Sequence, residues 1–211
     1  MEDVLDLYAQ RMDPRQPVVC LDEKPVQLLE DARPLQRATS PGKITKRDYE
    51  YVRNGTANIF GAMEPKVGRH FSRVTPNRSG AEFAKMLGSV ARRYPEAETI
   101  HLVMDNLNTH AEASLTQFYG EEIGRTIWER FTVHYTPKHG SWLNQAEIEI
   151  SLLSRQALGR ERVPDYGALR QRIRSWSTKA TRRKLVINWR FTKKKARLVF
   201  GYKPDNMRSR N

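Results

Sequence analysis

Residues 100–110 read IHLVMDNLNTH, an apolar run followed by a cluster of polar side chains. The run from Ile100 to Met104 is typical of a buried strand, and the next six residues supply a carboxylate, two amides, a hydroxyl and an imidazole. A charged side chain at the end of a buried strand costs free energy unless an opposite charge or a metal ion pairs with it. Asp105 is therefore predicted to be a metal ligand or half of a salt bridge, and this stretch alone leaves both open.

The segments before this stretch carry strand patterns. Residues 17–22, PVVCLD, predict a short buried strand that ends at Asp22. The runs DYEYVRN and TANIFGAM flank Asn54-Gly55, a dipeptide favoured at hairpin turns, and residues 70–74 complete a predicted meander.

Helical spacing alternates with strand patterns in the rest of the chain. Residues 79–94 place four apolar side chains on one stripe behind a predicted capping box of Ser79 and Glu82. Residues 111–129 also look helical, residues 131–135 predict a strand, and apolar spacing of three and four residues resumes at Leu143. The order predicts an α/β fold of the ribonuclease H-like kind, with a five-stranded mixed sheet flanked by helices.

Composition excludes several classes of protein. The chain has 211 residues, with 38% hydrophobic and 29% charged residues, as in globular proteins. No apolar run is long enough to cross a membrane, and the acidic N-terminus MEDVLDLYAQ is unlike a signal peptide, so we expect a cytoplasmic protein without a membrane partner. A single cysteine, Cys20, excludes an internal disulfide and a multi-cysteine zinc site.

Positive charge is concentrated at the C-terminal end of the sequence. Residues 151–211 hold 18 Lys and Arg against 3 Asp and Glu, whereas residues 1–150 hold 19 against 21. This asymmetry favours a bound polyanion, most simply nucleic acid, over a merely solvated basic surface. We predict an N-terminal helix and linker at 1–16, a catalytic core at 17–160, and a basic, mostly helical extension at 161–211 that packs on the core.

Three acids are predicted at the ends of elements: Asp22, Asp105, and either Glu147 or Glu149 at the start of a helix. If the strands that lead to the aspartates are parallel neighbours, both carboxylates emerge at one edge of the sheet, where ligands collect in α/β proteins. Oxygen ligands without a His and Cys cluster favour Mg²⁺ or Mn²⁺ over zinc. Two such ions roughly 4 Å apart support in-line displacement at phosphorus.

Five runs, in order, resemble the catalytic domain of bacterial insertion-sequence transposases of the mariner superfamily, the DDE endonucleases: VVCLDEKP, DYEYVRNGTANIF, LVMDNLNTH, HYTPKHGSWLNQAEIEISLLSRQ and NWRFTKKKAR. The resemblance covers nearly the whole chain. It implies a ribonuclease H-like fold, two Mg²⁺ or Mn²⁺ ions, and cleavage of double-stranded DNA at transposon ends. It also implies strand transfer into TA sites of target DNA, and at least a homodimer in the active complex.

The same resemblance implies that Asp22, Asp105 and Glu147 form the acidic triad. Helical periodicity does not choose between Glu147 and Glu149, which flank one apolar stripe. The family pattern Leu-Asn-Pro-x-Glu selects Glu147, although this chain has Gln145 where many relatives have proline. A helix cap by Asn144, with Glu147 as its reciprocal partner, is the competing interpretation.

Other side chains have both a functional and a structural interpretation. Glu23 either orients Asp22 or is a surface acid, while Asn106 and His110 either hold a phosphate or Asp105, or serve at a helix start. Trp142 alone would more simply pack in the core. The candidate DNA contacts are Lys138, His139, Ser141, Trp142, Arg182, Arg183, Lys184, Lys193, Lys194 and Lys195.

Complete transposases of this kind carry an N-terminal helix-turn-helix region, and only 21 residues precede Asp22. We therefore expect the end-recognition portion to be separately encoded, or the chain to be a truncated remnant. The alternative functions are a catalytically idle DNA-binding remnant or regulator, and another ribonuclease H-like nuclease.

Overall fold

A mixed five-stranded sheet forms the centre of the computed structural model, which describes residues 1–36 and 38–202. Its strands are β1 Val18–Asp31, β2 Tyr51–Glu64, β3 Arg69–Thr75, β4 Ile100–Met104 and β5 Phe131–Tyr135. The order across the sheet is β3-β2-β1-β4-β5, and β3 is one of its two edges. β1, β2 and β3 pair antiparallel, whereas β4 runs parallel to both β1 and β5. The predicted α/β fold and its five-stranded mixed sheet are confirmed.

Helices cover both faces of this sheet. They are α1 Glu2–Ala9, α2 Gly80–Ala91, α3 Glu112–Tyr119, α4 Glu121–Trp128, α5 Ala146–Leu153, α6 Tyr166–Arg182 and α7 Lys193–Phe200. On one face, Phe83 of α2 and Leu115 of α3 share a buried cluster with Leu21 of β1. On the other face, Leu153 of α5 and Ile173 of α6 pack with strand residues of β2 and β3. No helix among the described residues is long and apolar enough to cross a membrane.

Side-chain alternation along β1 determines the face of the sheet on which Asp22 lies. Val19 and Leu21 belong to the cluster under α2, while Cys20 belongs to the cluster that contains α1 and the start of α5. Because successive strand side chains point to opposite faces, Asp22 follows Cys20 onto the α5 side.

The first two strands are longer than their sequence patterns predict. Asp22 lies inside β1 rather than at its end, because β1 continues to Asp31 along β2 after its pairing with β4 has stopped. The hairpin turn predicted at Asn54-Gly55 is wrong: both residues lie within β2, where Gly55 has φ +91° opposite a register shift in β1. The extended β1 gives the first half of β2 a partner, so the chain does not turn there.

The capping box predicted at the start of α2 is also absent. Ser79 is the N-cap residue, but its side chain makes no capping hydrogen bond. The carboxylate of Glu82 instead accepts a hydrogen bond from Lys85 Nζ at 2.6 Å. Lys85, three residues along the helix, thus binds the carboxylate that would otherwise accept the capping-box hydrogen bond.

Helices from the basic C-terminal third lie against the sheet and α1. Leu169, Ile173 and Trp176 of α6 are buried with Ile59 and other strand residues, and Ala196 of α7 joins the cluster of α1. The division of the chain at residue 160 stays a prediction, and residues 203–211 of the predicted extension lie outside the described residues.

Candidate active site

Asp22 and Asp105 hold equivalent positions relative to the pairing of the parallel strands β1 and β4, although Asp22 lies inside β1 and Asp105 directly follows β4. The pairing of β1 with β4 ends at Cys20 and Val103, each two residues before an aspartate. Neighbouring strands lie about 4.8 Å apart, so both carboxylates start from one small region of the sheet. β4 is buried and ends at Met104. Asp105, the next residue, is half-buried.

Asn144 ties the beginning of α5 to β1. Its Nδ2 donates a 2.7 Å hydrogen bond to the carbonyl of Leu21, and its Oδ1 accepts one of 3.1 Å from the backbone N–H of Ala146. Since Leu21 directly precedes Asp22 and Glu147 directly follows Ala146, this buried amide holds two predicted catalytic acids in register.

Gly61 of β2 allows α5 to approach the sheet closely. A Cβ at this glycine would lie 3.4 Å from Cγ1 of Ile150, three residues after Glu147 on the same helix. Gly61 is also the cross-strand partner of Asp22. The residue beside Asp22 in the sheet therefore lies directly under α5, and a side chain larger than alanine there would press on the helix that carries Glu147.

The charges around Asp22 show that these acids share one neighbourhood. Burial raises the pKa of Asp22, and a 2.7 Å hydrogen bond from the backbone N–H of Glu23 opposes that rise. The negative charges of Glu147, Asp105 and Glu23 raise the pKa further, to about 6. Several carboxylates whose charges act on one another in this way are typical of a cation site.

His110 bridges Asp105 and Glu23. Its Nδ1 lies 2.6 Å from Oδ1 of Asp105 and 3.3 Å from the carbonyl oxygen of the same residue, and only the carbonyl is aligned for a hydrogen bond. Its Nε2 lies 3.2 Å from Oε2 of Glu23. The buried ring stacks on Phe83 with centroids 4.6 Å apart. Burial lowers the pKa of His110, but the two acids outweigh burial and raise the pKa to about 9, which favours an imidazolium.

Glu149 lies in the core, away from the aspartates. Its Oε2 is 3.0 Å from Nδ1 of His70, whose Nε2 lies 3.1 Å from the carbonyl of Leu185. Burial raises the pKa of Glu149, and the partner histidine only partly opposes it. The ring of His70 meets Trp176 edge-on at 5.6 Å, so Glu149 contributes to packing between β3 and α6.

Several of the sequence-predicted site residues are exposed in the loops after β4 and before α5. Asn106 lies exposed in the loop after β4, and Trp142, 38% exposed, meets Phe191 edge-on at 5.1 Å. Trp142 is therefore packed at the surface rather than in the core. The loop before α5 also exposes Lys138, His139 and Ser141.

The remaining predicted DNA contacts lie at the end of α6, directly after it, and on α7. Lys193 is held by Asp6 of α1 at 2.6 Å, so its charge is already compensated. The others are exposed: Arg182, Arg183, Lys184, Lys194 and Lys195.

The structure adds three residues that sequence reasoning did not assign to the site. Asn144 has a visible signal, an amide just before a helix, but that signal predicts a helix cap and not its hydrogen bond to β1. Phe83 supports the ring of His110, and the hydroxyl of Tyr135 donates a 2.9 Å hydrogen bond to the carbonyl of His110. Only the folded chain brings these two aromatic residues beside the loop, so no local pattern could have revealed them.

The donor set of Asp22, Asp105 and Glu147 fits Mg²⁺ or Mn²⁺. In residues 1–36 and 38–202, no three Asp, Glu, His or Cys side chains converge into a ready-made cage for one ion. Mg²⁺ does not require such a cage, because one or two carboxylates usually hold it together with waters and substrate phosphates. Oδ1 of Asp105 already contacts the ring of His110 at 2.6 Å, so the imidazole would hold this carboxylate in place while its other oxygen meets a cation.

Solved structures with a similar fold come from the Mos1 mariner transposase. The paired end complex with Mn has a TM-score of 0.55 at 15% identity, covering 87% of this chain and 56% of that chain. The paired end complex with Mg gives 0.56 at 17% identity, with the same coverage. The Strand Transfer Complex gives 0.57 at 13% identity, covering 87% and 54%. At these identities the likeness is one of fold, and the chain spans about half the length of those chains.

No curated protein matches the sequence. The family described as DDE superfamily endonuclease matches residues 17–170, which include all five strands and the three acids on the α5 side of the sheet. The chain belongs to the DDE superfamily endonuclease family.

Proposed function

We propose that the chain is the catalytic domain of a DNA transposase that cuts double-stranded DNA at transposon ends and joins the ends to target DNA at TA sites. The observation that carries the proposal is the setting of Asp22: burial raises its pKa, and the nearby negative charges of Glu147 and Asp105 raise it further, to about 6. A divalent cation bound beside Asp22 would offset this repulsion and favour the ionised carboxylate.

Asp22, Asp105 and Glu147 would hold two Mg²⁺ or Mn²⁺ ions. Such ions, when bound, activate a water or a 3′-hydroxyl and stabilise the leaving oxygen. The protein supplies position and charge: His110 holds Asp105, Asn144 holds the first turn of α5, and three carboxylates partly neutralise the cations.

Exposed residues of the loop before α5 are suited to the DNA strand beside the acids. Lys138 offers a charge to a phosphate, and the half-exposed ring of Trp142 offers a stacking surface to an unpaired base. Arg182, Arg183, Lys184, Lys194 and Lys195 would contact the backbone further along the duplex.

Assembly follows by analogy with the similar Mos1 structures, which are paired end and strand transfer complexes. We propose that two copies of this chain pair two transposon ends, that a helix-turn-helix portion recognises the end sequence, and that the reaction occurs at the bacterial nucleoid in the cytoplasm.

Incubation of end-containing duplex DNA with Mg²⁺ or Mn²⁺ tests the activity. Wild type should nick the DNA, and Asp105→Asn should reduce nicking by more than about 100-fold, beyond the effect of changing a residue that merely supports a metal ligand. Glu122→Gln, which changes an exposed acid on α4, is the matched control and should nick like wild type. Equal nicking by wild type and Asp105→Asn would overturn the proposal.

A second candidate is a catalytically idle DNA-binding protein, favoured by the strongly basic C-terminal third of the sequence. It predicts salt-sensitive DNA binding with no nicking under either metal. Faster cleavage of RNA–DNA hybrids than of duplex DNA would instead identify another ribonuclease H-like nuclease.

A further inference from the structure

The edge strand β3 borders two clefts that are separate from the acidic site. The larger, about 440 Å³, lies between β3 and α6, and the smaller, about 180 Å³, lies between β3 and α2. Ser72 and Arg73 line both clefts, so the two clefts adjoin at the edge of the sheet and are together called the edge groove. Oγ of Ser72 is buried and has no hydrogen-bond partner among the described residues.

Arginines dominate the lining of this edge groove. Arg73, Arg170 and Arg174 surround the larger cleft, and Arg93, lying over the ring of Phe71 at 4.7 Å, borders the smaller one. All four are exposed. Among the described residues, the acid that forms an ion pair with one of them is Glu82. Its Oε2 is 3.9 Å from Nε of Arg73, and its Oε1 is bound by Lys85.

Neighbouring arginines on α6 behave differently. Arg172 forms an ion pair with Glu161 at 3.2 Å. Arg170 and Arg174, on the groove side of the same helix, have no acidic partner among the described residues. Unpaired guanidinium groups around a cleft are suited to phosphate, which they bind in a bidentate manner.

The groove is built on rigid elements. The hydroxyl of Tyr166 donates a 2.6 Å hydrogen bond to the carbonyl of Val74, which fixes the start of α6 on β3. Ile173, between the two arginines in sequence, is 1% exposed. Arg170 and Arg174 are therefore held about 6 Å apart along the helix, one turn, and face the same cleft.

Strand register locates the groove relative to the acids. Asp22 pairs with Gly61, and Gly61 pairs with Ser72, so the three residues form one row across the sheet. Two strand spacings separate Ser72 from Asp22, about 10 Å, and α5 stands on Gly61 between them. Four arginines along a groove exceed what one free phosphate needs, whereas a duplex backbone offers a row of phosphates.

We propose that the edge groove of Arg73, Arg93, Arg170 and Arg174 binds the phosphate backbone of duplex DNA, as a second contact beyond the catalytic acids. The inference rests on the proposed function for its choice of DNA. The contact is independent of base sequence, and it positions a duplex segment outside the acidic site.

Salt-dependent binding tests the groove directly. Fluorescence anisotropy measures the affinity of the full chain for a labelled duplex of arbitrary sequence, in EDTA, at a series of salt concentrations. Arg170→Gln with Arg174→Gln should reduce the slope of log affinity against log salt by about 2, since each lost phosphate contact removes about 0.9. Lys43→Gln with Lys46→Gln, two exposed charges in the loop between β1 and β2, is the matched control and should leave the slope unchanged.

Further variants keep the result interpretable. Arg170→Lys with Arg174→Lys retains both charges and should restore most of the slope, which a folding defect would not allow. Equal slopes for wild type and the glutamine variant, or equal losses in the groove and control variants, would overturn the inference. An equal loss on a single-stranded probe would overturn the assignment to duplex DNA.

Binding in EDTA separates this inference from the proposed activity. If wild type nicks DNA but the groove variant binds like wild type, the groove inference alone fails. If wild type never nicks but the groove variant loses slope, the groove stands and the catalytic proposal fails.

Discussion

His110 Nδ1 lies 2.6 Å from Oδ1 of Asp105, and Nε2 of the same ring lies 3.2 Å from Oε2 of Glu23. One imidazole thus connects the loop after β4 with β1 through groups on its two ends. The ring is 2% exposed and stacked on Phe83, so it has little freedom to turn away. Asp105, itself half-exposed, is held in place by this buried neighbour.

Replacing His110 by glutamine should weaken the metal site without removing a ligand. We expect His110→Gln to lower nicking about 10-fold to 100-fold and to shift the midpoint of a Mg²⁺ titration to higher concentration, because residues that orient metal ligands have effects of this size. Ser114→Ala, which removes a hydrogen bond to the carbonyl of Thr109 in the same loop, is the control for loop order. An unchanged Mg²⁺ midpoint in His110→Gln would contradict this role.

Periodicity predicted most elements of the fold because each buries one regular apolar face. Ile100–Met104 is a strand as predicted, and its parallel pairing with β1 places both aspartates at one region of the sheet. The prediction of a turn at Asn54-Gly55 was wrong because the chain continues there in β2, which pairs with β1 as far as Asp31. This pairing outweighs the local preference of the dipeptide. A β-bulge with Gly55 at φ +91° uses the same glycine freedom that a hairpin turn would have used.

Contacts between distant segments explain what the sequence could not predict. Glu147 and Glu149 flank one helical stripe, and the partner that buries Glu149, His70, lies 79 residues away. The edge groove likewise joins Arg73 of β3 to Arg170 of α6, which no local spacing connects. The choice between the two glutamates depends on the tertiary neighbours of each side chain.

Glu147 and Glu149 should differ sharply when each is changed to glutamine. Glu147→Gln removes a charge beside Asp22 and should reduce nicking by more than about 100-fold while leaving DNA binding in EDTA intact. Glu149→Gln should nick like wild type but lower the free energy of unfolding by about 1–3 kcal/mol, because it disturbs a buried bond to His70. Nicking assays and urea unfolding of both variants provide the comparison, and a catalytic loss confined to Glu149→Gln would reverse the assignment.

Gly55 and Gly68 both have positive φ but differ in surroundings. A Cβ at Gly55 would meet nothing within 4 Å, so Gly55→Ala should cost about 1–2 kcal/mol of unfolding free energy from backbone strain alone. A Cβ at Gly68 would lie 2.6 Å from the carbonyl carbon of Lys184, so Gly68→Ala must also displace the chain after α6 and should cost clearly more. Urea unfolding ranks the two variants. Equal losses of unfolding free energy in the two variants would show that the backbone at Lys184 moves aside at little energetic cost.

His101 and His134 form a proton-sharing pair beneath α1. Nδ1 of His101 lies 2.9 Å from Nε2 of His134, whose Nδ1 lies 2.7 Å from Oδ2 of Asp3. If His134 donates to Asp3 and accepts from His101, Nε2 of His101 carries no proton, and that atom is buried without a partner among the described residues. Burial, and then the charge of His134, lower the pKa of His101.

Acid should therefore destabilise the fold through His101. Its folded pKa lies below the unfolded value of about 6.5, so its contribution is complete above pH 6.5 and is lost as pH falls from there toward the folded pKa. The unfolding free energy of wild type should fall relative to that of His101→Gln by at most about 1.4 kcal/mol per pH unit in this range. Urea unfolding between pH 5 and pH 8 measures the difference, with His139→Gln, an exposed histidine, as control. Parallel curves for wild type and His101→Gln would show that this half-buried ring accepts its second proton without cost.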